Sequence, residues 1–370
     1  MESAVRLTIG LVVCLTLGIV LAGWFTRTAA AGNSSKGVAI RSAKPGTKIS
    51  NSWDPKAAAA YLDQRQEWWM DWPRAQRDHG TFCVSCHTAL PYALSRSALR
   101  TALADQAPAP QEQRLLENVT KRVRLWKEVE PFYKDADRGP YKSVESRGTE
   151  SVLNALILSS RDAQNGHLSN DAHMALENMW AEQQMTGKQK GAWLWLRFNN
   201  EPWEADDSDY FGATLAAVAV GTAPDNYRAA PEVQIRIAAL RDYLDREFAA
   251  QATMNRVLFL WAAAKLPGLL ESDRQKAIIA EVLEKQQADG GWSLTSLSGD
   301  WKRHDGTPQE TGSDGYATGL ITFLLQQSGI PPENPALKRG LVWLTLNQDK
   351  TRGSWPAYSL NKNKEHHISP

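Results

Sequence analysis

The feature that most constrains the fold is a recurring pair of helical stretches, the first apolar nearly all round and the second apolar on one face. Residues 150–159 (ESVLNALILS) precede a polar-faced stretch at 169–184, and 212–221 (GATLAAVAVG) precede another at 231–250. The order returns at 254–266 with 273–287 and at 316–327 with 335–346, a period of roughly 45 to 60 residues. A helix apolar on every side must be enclosed, whereas an amphipathic one can cover it and turn its other face to water. The chain is therefore expected to be all-α, with inner helices wrapped by outer ones. No run from residue 54 onward sustains the two-residue alternation of a strand.

The same reading extends upstream. A helix is expected over 57–72, after Pro55 and before Pro73, and another over 87–103. A charged amphipathic helix follows at 111–129, with Leu115, Val119, Val123 and Trp126 on one face.

The turns that follow the amphipathic helices also repeat. Gln286-Gln287-Ala288-Asp289-Gly290-Gly291-Trp292 is the sharpest copy, and 347–355 and 183–193 are looser ones. Gln is expected to bond the last helical carbonyls, Gly to supply a left-handed cap, and Trp to fold back over the helix end. These turns and helix pairs resemble the QW repeats of squalene/hopene cyclases and protein prenyltransferases. The resemblance covers residues 150–360 and implies an α/α toroid, inner helices lining a central cavity. It extends to 57–69 as an outer helix and to 87–103 as an inner one.

A separate signal is Cys83-Val84-Ser85-Cys86-His87, the spacing that attaches a c-type haem. The two thiols add across the vinyl groups and the adjacent imidazole ligates iron. One covalent haem c is expected on Cys83, Cys86 and His87, with His87 the metal ligand. A redox dithiol, half of a zinc site and a local disulfide share the pattern. Zinc normally needs four protein ligands, and Cys14, the third cysteine, sits in an N-terminal apolar segment. A thioredoxin-like dithiol needs βαβ surroundings, which the pattern lacks. The disulfide stays open. On the toroid reading the haem lies at one mouth, on the loop leading into the first inner helix. Met70, His79, His167 and His173 are candidates for the second axial position. Trp68, Trp69 and Trp72 serve either as porphyrin contacts or as a core stripe.

The resemblance raises a second chemistry. Hopene-type cyclases protonate their substrate with a D-x-D-D-T motif before an inner helix, and Glu204-Ala205-Asp206-Asp207-Ser208 stands in a comparable place. Adjacent carboxylates raise one another's pKa, so Asp206 and Asp207 are acid candidates. Glu replaces Asp at the first position, and Asp314 stands in a similar place later, which suggests helix caps instead. The prenyltransferase zinc would need Asp, Cys and His ligands. Both cysteines are claimed by the haem motif, and His304 with Asp305 does not make a site.

The N-terminus bounds the compartment. Residues 7–25 are almost continuously apolar and are followed by an A-x-A-like stretch at 26–32, so 1–31 is expected to be a signal peptide or a membrane anchor. Residues 32–53 read as a linker, 54–360 as the helical domain and 361–370, with His366 and His367, as a solvated tail. An exported, periplasmic location agrees with covalent haem attachment. With 42 Lys and Arg against 41 Asp and Glu, the net charge of +1 gives no case for nucleic acid. The expected role is electron transfer or haem-dependent redox chemistry, with a redox protein or a small apolar substrate as partner. The alternatives are a terpenoid-binding or cyclising enzyme with a Cys83–Cys86 disulfide, and a non-catalytic scaffold that binds another protein.

Overall fold

A computed structural model describes residues 53–129 and 139–361. The leader, nearly all of the linker and the histidine pair of the tail lie outside the described residues. The fold is all-α apart from one small hairpin. Among the described residues no helix is long and apolar enough to cross a membrane.

The described chain divides into two compact units, each built from discontinuous stretches: 53–65, 95–107 and 280–361 in one, 66–94, 108–129 and 139–279 in the other. The helices are α1 (Pro55–Asp71), α2 (Ala89–Leu103), α3 (Pro110–Arg124), α4 (Gly139–Asn165), α5 (Asn170–Glu182) and α6 (Ser208–Thr222). There follow α7 (Pro231–Glu247), α8 (Thr253–Lys265), α9 (Ser272–Glu284), the single turn α10 (Leu294–Leu297), α11 (Gly315–Gln327) and α12 (Pro335–Asn347).

In the unit containing 139–279, the apolar helices pack on one another in chain order, α4 on α6 and α6 on α8. The amphipathic helices cover them, α5 on α4 and α7 on α6. Every residue from Ser208 to Val220 of α6 is buried, as an all-round apolar helix requires. In the other unit α11 is buried from Gly315 to Leu325 and packs on α12. Helix starts follow local chemistry. Ser169 and Asn334 accept backbone N–H groups of α5 and α12, and Pro231 and Pro335 stand in the first turns of α7 and α12.

Helix α4 begins well before the expected 150, because its first turns (GPYKSVES) carry little apolar periodicity. The hairpin pairs β1 (Gln76–Arg77) with β2 (Thr81–Phe82), strands too short to leave an alternation signal.

The three Gln/Trp turns share one hydrogen-bond plan, in which Trp folds back over the helix end as expected and Gln takes a different role from the expected one. It is the Trp that bonds the last turn of its own helix: Trp193 Nε1 donates to Met179 O (2.6 Å), Trp292 Nε1 to Val282 O (2.7 Å) and Trp355 Nε1 to Leu344 O (2.6 Å). Gln reaches onward to the start of another amphipathic helix. Gln183 Nε2 donates to Arg236 O in α7, and Gln286 Nε2 to Ala336 O in α12. Gln348 holds both backbone groups of Asp54, the residue before α1, accepting from its N–H at 2.6 Å and donating to its carbonyl at 2.9 Å. The turn glycine sits against the same neighbour: Gly353, at φ +79, leaves no room for a Cβ beside Ala57 O.

Gln183 and Gln348, both buried, each serve two backbone groups, so the loss of either leaves at least one of them without its partner at about 1–3 kcal/mol. Gln348→Ala and Gln183→Ala are each expected to lower the unfolding free energy by that amount in denaturant titrations, while Lys188→Ala, on an exposed side chain, leaves it within error.

Candidate functional site

The Cys83–His87 loop is fixed from several sides. Cys83 N donates to Ala75 O (2.8 Å), tying the loop to the residue before β1. The side-chain amide of Asn118 on α3 mimics a strand, accepting from Phe82 N at 2.8 Å and donating to Phe82 O at 3.0 Å. Arg122, one turn on, donates to Thr81 Oγ1 (2.6 Å) and makes a two-pronged pair with Glu150 of α4 (2.5 and 2.8 Å). Burial works against the charge on Arg122, but Glu150 outweighs it and the guanidinium pKa is raised. Trp69 Nε1 donates to Cys83 O at 2.8 Å. Ser85 Oγ accepts from Thr88 N and Ala89 N, so a residue between the two cysteines starts α2.

Cys86 is 4% exposed and Cys83 is half-buried, and both are free thiols. Burial pushes the Cys83 thiol up to about 11 and the Cys86 thiol well above its ordinary value, with Glu204 adding to the second shift. Burial also lowers His87, against an opposing pull from Glu204, which favours the neutral ring. His87 Nδ1 lies 3.3 Å from Thr88 Oγ1, and the Trp69 ring meets the imidazole edge-on at 5.5 Å. A neutral imidazole carries one ring-nitrogen lone pair that can bind a metal.

Glu204 completes this group from 118 residues away. Its Oε1 accepts from Cys86 Sγ at 3.5 Å, and the Cys86 sulfur, a His87 ring nitrogen and a Glu204 oxygen all lie within 4.8 Å of one another. Glu204 is held by a backbone bridge, Glu204 N to Asn200 O (2.9 Å) and Asn200 N to Glu204 O (3.2 Å). The thiols can add to an electrophilic carbon–carbon double bond, and the neutral imidazole can bind a metal.

Of the segment 204–208, Glu204 is thus the residue brought to the thiols. Asp206 is exposed. Asp207 is half-buried, and its carboxyl is raised by burial, with Glu201 and Asp206 adding to the shift. It accepts from Asn255 Nδ2 at 3.2 Å and makes no side-chain cap on α6. Asp314 does act as a cap, accepting from Ala317 N (2.8 Å) and Leu294 N (2.5 Å), and burial raises its carboxyl to about 7.

Of the axial candidates, His167 and His173 are exposed and paired with Asp225 and Glu177. His79, 41% exposed, stands near Asp78 in the hairpin turn, and Met70 is buried. Trp68 and Trp72 stack at 5.4 Å, leaving Trp69 as the indole at the loop. A separate cavity of about 370 Å³ is lined by Val144, Leu194 and Trp195 with Glu145 and Arg197, none of them among the expected site residues. Comparison of the chain with protein families, with curated proteins and with solved structures finds no match.

Such thiols should be poor nucleophiles in the folded, haem-free protein. Alkylation near pH 7.5 is expected to run about a hundredfold slower than for a free cysteine and to accelerate with pH toward 11. Rates equal to those of the denatured chain would contradict the burial.

Proposed function

We propose that the chain is an exported monohaem c-type protein with an electron-transfer or redox role, in which Cys83 and Cys86 hold the haem and His87 Nε2 ligates its iron. The observation that carries this reading is the delivery, by one braced loop, of two free thiols and a half-buried imidazole whose neutral form is favoured. The donor set suits the group. Each attachment adds a sulfur to one vinyl carbon and the thiol hydrogen to the other, so no electron is gained or lost. Bound there, the haem would supply one-electron chemistry through its iron.

The chain's own residues do the rest. Ser85 shapes the loop into α2, Thr88 Oγ1 lies against His87 Nδ1 and orients the ring, and Trp69 meets the imidazole edge-on. The haem-free thiols stay protonated, which protects them from premature oxidation.

The reading includes an α/α toroid and an N-terminal export segment that either is cleaved or tethers the protein to a membrane. Support for a repeated unit comes from Gln348, whose bonds to Asp54 match the link that Gln183 and Gln286 make between successive amphipathic helices. A redox protein or a small apolar molecule is the proposed partner.

A pyridine-haemochrome spectrum on protein made with export and haem-attachment machinery tests the reading. Covalent haem c, absent from a Cys83→Ala/Cys86→Ala variant, is expected. A wild-type product with no covalent haem would overturn it.

A further inference from the structure

Glu204 is 7% exposed, and the groups that meet its carboxylate are neutral. Oε1 faces the Cys86 thiol, and Oε2 accepts from Asn200 Nδ2 at 3.4 Å. Among the described residues no Lys or Arg forms an ion pair with it. Arg122 of α3, which braces the cysteine loop, is paired with Glu150. Asn200 and Phe198 hold the Glu204 backbone, and Cys86 Sγ and Asn200 Nδ2 meet its two carboxylate oxygens. A negative charge is thereby held beside both the proposed attachment sulfur and the proposed iron ligand.

Resting on the haem reading above, we infer that Glu204 is a positioning residue that sets the redox potential of the iron bound by His87, holding it low. Forming the thioether consumes the hydrogen that Cys86 now offers to Oε1, which leaves Asn200 as the remaining side-chain donor to the carboxylate. Reduction adds one electron to the ferric site and removes one unit of positive charge. A fixed anion beside the site favours the ferric form and opposes that step. At an effective dielectric of about 20, one charge within about 10 Å is worth on the order of a tenfold or larger change in the ferrous-to-ferric ratio.

The position of Glu204 makes the effect specific. Asp206 and Asp207 lie two and three residues on in the same segment, yet Asp206 is exposed to screening water and Asp207 is turned to Asn255. The potential should therefore respond to Glu204 and ignore Asp206.

The test is a mediated spectroelectrochemical titration of the haem-loaded full chain. Glu204→Gln is expected to raise the midpoint potential, so that at fixed ambient potential the ferrous-to-ferric ratio rises about tenfold, with the haemochrome unchanged. Asp206→Asn is expected to stay near the wild-type value. Should Glu204→Gln yield no haem-loaded protein, Asn200→Lys, which sets a cation beside the carboxylate, is expected to move the potential the same way. Haem-loaded Glu204→Gln, or Asn200→Lys in its place, at the wild-type potential overturns the inference alone, as does an equal shift in Asp206→Asn. A wild-type chain without covalent haem overturns both this inference and the reading beneath it.

Discussion

The structure depends on a buried side-chain amide bonding backbone groups far along the chain. In each Gln/Trp turn the indole N–H closes the helix just ended, and the Gln holds the start of another. A carbonyl in the last turn of a helix has no partner within that helix; the indole meets one there, and the Gln ties the turn to a backbone group at or just before another amphipathic helix. One turn thereby joins two amphipathic helices. The turn glycine allows the close approach that brings the amide within reach, as Gly353 does beside Ala57. Apolar helices such as α6 are buried from Ser208 to Val220.

The same economy shapes the site. The loop around Cys83 is irregular backbone, and its polar groups are met by Asn118, Trp69 and Ser85. Arg122 braces the loop from α3 while Glu150 of α4 neutralises it, so a buried charge is paired where an unpaired one would be costly. The outcome is a rigid frame that raises two thiols, keeps an imidazole neutral and sets one carboxylate, Glu204, against them. Rigidity of this kind suits a site that receives a preformed group and then changes little as electrons come and go.

Much of the helical scaffold was legible because inner and outer helices differ so sharply in apolar coverage. The Gln, Gly and Trp of the turns were legible too, although not the division of labour between Gln and Trp. Periodicity shows that a side chain is buried and leaves its partner open. Asn118 and Arg122 read as the polar part of an amphipathic helix and turn out to brace the cysteine loop. Glu204 was visible as one acid among several, and only the fold brings it to Cys86. Asp314 behaves as a cap and Asp207 does not, since its carboxylate turns to Asn255 on a neighbouring helix. These distinctions rest on contacts between residues distant in sequence, which no local pattern encodes.

The central claim is that one haem is bonded to both cysteines of the loop. Tandem mass spectrometry of the proteolytic peptide spanning Phe82 to Thr88, from protein matured with export and haem-attachment machinery, addresses it directly. The account predicts a single haem carried on Cys83 and Cys86 together, with neither sulfur open to alkylation. The same peptide recovered without haem, both thiols alkylated or joined to each other, would contradict it.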